Sequence, residues 1–417
     1  MTFSFFIDAM LSSTLTSLIM KTILTNKFQF FYATILLLAA FTSCIDKEDD
    51  QLDMRKPTDK QEDLAVIDGK IETFLSSNSI PGAVLAISKN GKLVYKKAYG
   101  LADVASQEKM TNSHRLRVAS VSKTFTGLSI VKLVQDGKIR LEDKVFGEDG
   151  ILGNEYGTKP YSDRVKKVTV QNLLHMTTGG WVVNGNRDAI DYKQEVSNKV
   201  FFDWMLDNAT LTFEPGTQYW YINTNYFVAA RIIEKVSGKS FYNFMKDNFL
   251  DELGIKSAVM VKNGLAGKQS NEVTYYGLGG TKGYEYNFNI ERRDGDAGIV
   301  ISAEDLLKFA LAIDGKPSRP DILNGGSYSQ FIKGSIPNPQ FGIGILSWGD
   351  VRSFYGALPG TRSSYMIHNN GMAISLIFNG NADYTGNNYN NFATAHENLL
   401  IDILTKNLNI YQDIDQF

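Results

Sequence analysis

Two hairpin signals near opposite ends of the chain constrain its fold more than any other feature. Ala83 to Gly100 reads AVLAISKNGKLVYKKAYG, two alternating runs around Asn90-Gly91, and Ser364 to Phe378 reads SYMIHNNGMAISLIF, turning at Asn370-Gly371. Asn-Gly tolerates the positive φ that a tight turn demands, so each pair of runs is expected to fold back on itself. Between them the apolar spacing becomes helical. Ser120 to Asp136 carries Phe125, Leu128, Val131 and Val134 and stops at Asp136-Gly137, while Thr224 to Ser237 stops at Gly238. Ser302 to Ile313 opens with a Ser N-cap and acids in its first turn. After the second hairpin, Thr394 to Leu408 sets Leu399, Leu400, Ile403 and Leu404 on one side of a terminal helix. The pattern predicts the α+β class: one antiparallel sheet built from both chain ends, flanked by helices, with a mainly helical insertion. The cleft between sheet and helices is the expected site.

Composition narrows the chemistry. At 43% hydrophobic residues the chain can fill a sizeable core, and a net charge of −2 offers no basic footprint for nucleic acid. A single Cys forbids an intrachain disulfide and any Cys-rich metal site, and four scattered His leave little for a His cluster. No metal or cofactor is therefore expected, and the chemistry should run on Ser, Lys, Tyr, Asp or Glu.

The chain start carries an address. An apolar run from Phe28 to Ser43, preceded by Lys21 and Lys27, reads as a signal peptide over residues 1–43, with Met20 the better start. Phe41-Thr42-Ser43-Cys44 resembles a bacterial lipobox, which would make Cys44 a lipidated N-terminus. The bland alternative is a buried free Cys. Of the 19 residues from 45 to 63, 12 are charged, so 44–63 is expected to be a tether, or an acidic export signal. The folded domain is expected over 64–417. A lipid anchor implies the cell envelope, at the outer membrane, with the domain periplasmic or surface-exposed.

Poor in His, the chain needs another base for a Ser nucleophile, and Ser-x-x-Lys on a helix puts an amine beside a hydroxyl. With 30 Ser and 31 Lys, chance supplies about two copies of that spacing. Ser106-Lys109 lies in a polar loop stretch. Ser120-Lys123 follows Leu116-Arg117-Val118-Ala119 and opens a long apolar helix, where the dipole favours developing negative charge. Ser120 could equally be a plain N-cap.

Ordered landmarks extend this reading. They are Ile80-Pro81-Gly82-Ala83, Tyr99-Gly100-Leu101-Ala102-Asp103, Val118 to Thr126, Leu133 to Lys138, Val168 to Gly179, Pro215-Gly216 with Tyr221-Ile222-Asn223, Ala297-Gly298 ahead of Ser302 to Leu306, and Gly356 to Thr361. Together they resemble the serine β-lactamase-like hydrolases, a family of class C β-lactamases, D-alanyl-D-alanine carboxypeptidases, D-amino-acid peptidases and carboxylesterases. The resemblance spans about residues 64–405. It implies Ser120 as acylated nucleophile, Lys123 as its base and Tyr221 as the second acid/base group. Asn223 would hold Lys123 and the substrate amide, Gly356 would admit substrate close to a strand, and the Ala357 N–H would donate to an oxyanion.

One motif departs from the family. Where relatives carry Lys or His, then any residue, then Gly, this chain has Phe354-Tyr355-Gly356. The lost cation in relatives helps bind a substrate carboxylate, so an ester or a D-amino-acid-containing amide is expected, as a small molecule or cell-wall peptide. The alternatives are a D-alanyl-D-alanine carboxypeptidase or β-lactamase, and a catalytically idle ligand-binding homologue. Arg352 and Arg362 flank the strand and could replace the lost charge, although they read first as solvated strand-end arginines. Tyr389-Asn390-Asn391 reads as a chance repeat of Tyr-x-Asn, Arg292-Arg293-Asp294-Gly295-Asp296 as a structural ion-pair turn, and Gly277-Leu278-Gly279-Gly280 as a flexible loop. Phe201 and Phe202 suit a helix core face.

Overall fold

Asn90 and Gly91 both take positive φ (52° and 80°), the backbone that a two-residue hairpin turn requires. They join β1 (Gly82–Lys89) to β2 (Lys92–Asp103). The computed structural model describes residues 64–278, 282–381 and 387–417. The expected signal peptide, Cys44 and the tether lie outside the described residues. The described residues form one compact unit.

Seven strands make the main sheet. After β2 come β3 (Glu108–Lys109), β4 (Leu346–Trp348), β5 (Val351–Leu358), β6 (Thr361–His368) and β7 (Met372–Phe378), hydrogen-bonded in the order β4-β5-β6-β7-β1-β2-β3. The second hairpin uses three loop residues, of which Gly371 alone has positive φ (94°). β7 and β1, from the two chain ends, are antiparallel partners from Ala83↔Phe378 to Lys89↔Met372. The α+β expectation holds, with helices on both faces.

Strand alternation sorts the core into two layers. In β1, Val84 and Ala86 face one layer while Ala83, Leu85 and Ile87 face the other. The second layer is closed by α1 (Ala65–Ser77) through Ile67, Ile71 and Phe74, and by the terminal helix through Leu400, Ile403 and Leu404. The first layer receives α2 (Ser122–Gln135), α3 (Asn198–Asn208), α4 (Thr224–Ser237) and α5 (Ala303–Leu311). The terminal helix, α6, runs Asn387–Thr405. Phe201 and Phe202 of α3 are fully buried in that first layer, as the sequence suggested. Two sequence signals for helix boundaries act as expected. Gly238 ends α4 in the left-handed region (φ 69°), and the Ser302 hydroxyl accepts the Asp305 N–H at the start of α5. Because both sheet faces are covered, β1 and β7 read as nearly continuous apolar runs.

Candidate active site

The turn that leads into α2 places Ser120. A short strand, Leu116–Arg117, passes into a 3-10 turn over Ala119–Val121 before α2 begins. Ala119 is held at φ 46°, a left-handed conformation that an L-residue adopts at a cost of about 1–3 kcal/mol and that clusters at functional sites. The turn is fixed by α2's own hydroxyls. Ser122 Oγ accepts the Ile299 N–H (3.1 Å), Thr124 Oγ1 donates to the Gly344 carbonyl (2.7 Å) and Thr126 Oγ1 donates to the Gly295 carbonyl (2.6 Å). Val121 occupies the N-cap position, so Ser120 is not the helix cap.

The Ser120 hydroxyl instead meets Lys123, one position into the helix. Lys123 Nζ donates to Ser120 Oγ and to the Asp296 carbonyl, 3.0 Å in each case, and the side chain is wholly buried. Burial is the main force pulling its ammonium down, to about 8; Arg293 adds to the fall, while Asp296 and Asp188 oppose it. A third copy of the spacing, Ser129-Lys132, lies further along α2 and is structural: Ser129 Oγ donates to the Phe125 carbonyl and Lys132 pairs with Asp136.

Tyr221 completes the group. It lines the same cleft as Ser120, and desolvation is the largest cause holding its pKa well above the ordinary phenol value. The ring lies 5.0 Å from Lys123 Nζ, and the residue is 37% exposed. Asn223 stands at the N-cap of α4, where the Asp188 carboxylate accepts its backbone N–H (2.5 Å) and the Thr224 hydroxyl (2.5 Å). Its side chain does not hold Lys123, whose hydrogen bonds go to Ser120 and Asp296. Asn223 lines the cleft instead.

Gly356 has a task within the fold itself. A Cβ there would lie 2.0 Å from the Val118 carbonyl, 2.4 Å from Ser363 Oγ and 3.0 Å from the Ser120 nitrogen. The missing side chain lets β5 pack against the Ser120 turn; the close approach is by this chain's own backbone. Ala357 lines the cleft one residue on. Phe354 is buried at 3% exposure and meets Phe341 edge-on at 6.0 Å; Phe341 in turn touches Tyr219 and Tyr221, giving the cleft an aromatic wall.

The cleft, about 390 Å³, is lined by Ser120, Tyr221, Asn223, Phe354, Ala357 and Arg293 among others. It adjoins a second hollow through Leu346, Tyr355, Arg362 and Tyr389. Here the sequence reading needs correction. Arg362 is no solvated strand end: it is 4% exposed, lines the cleft, and donates to His396 Nδ1 (3.1 Å) and Tyr389 Oη (3.0 Å). Among the described residues no carboxylate stands within ion-pair distance of it. Burial and the Arg362 charge hold His396 far below the usual imidazole range, so that partner is neutral. Arg352 donates to the Val351 and Gly349 carbonyls and stays outside the cleft. Tyr389, set aside as chance, lines the site.

The ion-pair turn is present and reaches the site. Arg293 grips Asp296 through Nε (3.0 and 2.9 Å) and Nη2 (2.7 Å), and Asp296 Oδ2 lies 3.7 Å from Lys123 Nζ. Its charges just ahead of Ala297-Gly298 were the available signal. Asp188, half-buried and pushed up to about 6 mainly by desolvation, had none, since it lies 35 residues from Asn223. Among the described residues no cluster of three His, Cys, Asp or Glu side chains could hold a metal.

Comparison with known proteins follows the same lines. The family model described as Beta-lactamase matches residues 67–393. Protein flp of Staphylococcus aureus (strain MW2) is 33% identical over 190 residues, 46% of this chain and 37% of that protein. Penicillin-binding protein 4* of Bacillus subtilis (strain 168) is 28% identical over 228 residues, 53% of this chain and 45% of that one. The chain thus spans less than half the length of these relatives. A D-amino acid amidase from Ochrobactrum anthropi SV3, complexed with D-phenylalanine, shares the fold at a TM-score of 0.63 and 20% identity, over 81% of this chain and 99% of the other.

Proposed function

Because the chain belongs to the beta-lactamase family, we propose that it is a serine hydrolase whose acyl-enzyme forms on Ser120. The observation that carries this reading is the 3.0 Å contact between Ser120 Oγ and a wholly buried Lys123 whose ammonium is destabilised toward about 8. Neutral Lys123 takes the hydroxyl proton as Oγ bonds to the substrate carbonyl carbon. Tyr221, which lines the cleft beside Ser120, passes a proton to the departing alcohol or amine, and the backbone N–H groups of Ser120 and Ala357 donate to the developing oxyanion. Water then attacks the acyl carbon and gives its proton to the Tyr221 phenolate, and as the acyl–Oγ bond breaks Lys123 returns its proton to Ser120.

The substrate we infer is an ester or a D-amino-acid-containing amide, since Phe354 gives an aromatic wall where relatives carry a cation. A fluorophosphonate probe should add its mass to wild type and not to Ser120→Ala. Labelling of neither would sink the reading, and a Ser120→Ala chain with every activity unchanged would leave an idle ligand-binding homologue.

One observation favours a second reading, a D-alanyl-D-alanine carboxypeptidase or another enzyme of carboxylate-bearing substrates. Arg362 is a buried cation on the cleft wall that donates to His396 and Tyr389 and has no carboxylate partner among the described residues, a place where an anion would be stabilised. Chromogenic esters, D-amino-acid amides with and without a free carboxylate, and a β-lactam separate the two. We further propose that Cys44 is lipidated and tethers the domain to the outer membrane in the cell envelope. Metabolic labelling with an alkyne fatty acid, lost in Cys44→Ser, tests this.

A further inference from the structure

Lys123 shares its chamber with a carboxylate that, at full strength, would keep it charged. Asp296 is wholly buried, and its Oδ2 is 3.7 Å from Lys123 Nζ. A carboxylate at that range favours the ammonium. This one is already engaged: the Arg293 fork binds both of its oxygens at 2.7 to 3.0 Å, closer than Lys123 stands. The remaining groups around Lys123 are the Ser120 hydroxyl, the Asp188 carboxyl, and the rings of Tyr221 and Tyr226 at 5.0 and 5.9 Å. Beyond Arg293 stands Asp191, 3.6 Å from its Nη1.

We propose that Arg293 is a positioning residue that, through Asp296, sets the proton affinity of Lys123. A guanidinium holds a carboxylate in a fixed bidentate geometry that an ammonium cannot match. Gripped in this way, Asp296 is held off the Lys123 ammonium and its charge is met by Arg293, while its backbone carbonyl still orients Nζ toward Ser120. The guanidinium also adds a second positive charge near Lys123, and both effects leave the amine free to be neutral beside the hydroxyl. The opposing pulls of Asp296 and Arg293 on Lys123 agree with this geometry. The function assigned to the tuning rests on the Ser120 acylation reading; the tuning itself is a property of three side chains.

The test titrates Lys123 directly in the full chain. Protein carrying 13C,15N-lysine is followed by NMR from pH 6 to 11, the Lys123 signal being assigned by its loss in Lys123→Met. Arg293→Gln should raise the Lys123 midpoint by about one unit or more, and Asp296→Asn should lower it. The double variant should fall between them, and Arg293→Lys should recover only part of the wild-type value. A one-unit rise lowers the rate of fluorophosphonate labelling at pH 7 by about tenfold, the ratio that one pKa unit represents. Unchanged midpoints in folded variants overturn the proposal. So does an Arg293→Gln defect confined to KM for anionic esters, because that makes Arg293 a substrate contact. Should Arg293→Gln fail to fold, Asp296→Asn and the double variant decide the sign. The titration needs no turnover, so shifted midpoints in a protein that never labels would reject acylation and keep the tuning.

Discussion

Adding one methyl group at Gly356 should damage stability and reactivity together. The new Cβ of Gly356→Ala would lie 2.0 Å from the Val118 carbonyl and 2.4 Å from Ser363 Oγ. Ser363 can rotate only by giving up its 2.6 Å bond to that same Val118 carbonyl. The carbonyl belongs to the residue just before the strained Ala119, so relief requires β5 and the Ser120 turn to separate by about 1 Å, an overpacking cost of about 1–3 kcal/mol. A displacement of that size at a reacting centre costs about 100-fold in rate. Urea unfolding followed by tryptophan fluorescence gives the first quantity, and pseudo-first-order labelling by a fluorophosphonate gives the second. A variant with the wild-type midpoint and the wild-type labelling rate would refute the idea that this glycine seats β5 against the nucleophile turn. A variant that is destabilised yet labels normally would refute the coupling between strand seating and reactivity.

Three further outcomes are expected. The Asp188 carboxyl titrates at about 6 in the fold, above its ordinary 3.8, so its ionisation costs the folded state stability as pH rises through that window. Asp188→Asn lacks that cost, and its urea midpoint should gain on wild type between pH 4 and 7, by about 1–3 kcal/mol at most; a constant difference across that range would refute it. Arg362→Met should raise KM for carboxylate-bearing substrates by about 10- to 100-fold, the worth of a charge-assisted hydrogen bond, and leave neutral esters within about twofold. Equal effects on both would assign Arg362 to the fold alone. Fluorescent penicillin should label wild type weakly or not at all and Phe354→His strongly, while the buried imidazole lowers stability by about 1–3 kcal/mol; no gain in labelling would show that the strand motif is not the selectivity switch.

The elements that were legible from sequence are those whose cause is local. Asn90-Gly91 specified its hairpin because both residues need positive φ, and Gly238 ended α4 for the same reason. Ser302 capped α5 with its own hydroxyl. The Ser120-Lys123 spacing also carried through, since residues three apart share a face of one turn and can meet, as Ser120 and Lys123 do at 3.0 Å. The boundaries that moved were at the Ser120 turn, where a 3-10 segment precedes the helix, and at the terminal helix, which starts at Asn387 and not at Thr394.

What remained hidden depends on partners far along the chain. Asp188 and Asn223 are 35 residues apart, Lys123 and Asp296 173 apart, and Arg362 and His396 34 apart. Charge and polarity in those segments read as surface features, because burial of an ion is decided by what folds over it. By itself the sequence determined the two hairpins, the helices that opened and closed with their own caps, and the serine–lysine pair within one turn. Only the tertiary structure decided that Gly356 serves the protein's own backbone, that Arg362 is a cleft residue, and that a carboxylate and a guanidinium stand behind Lys123. Local signals act through one or two turns of backbone, whereas desolvation and charge pairing act across whichever chain segments the core brings together.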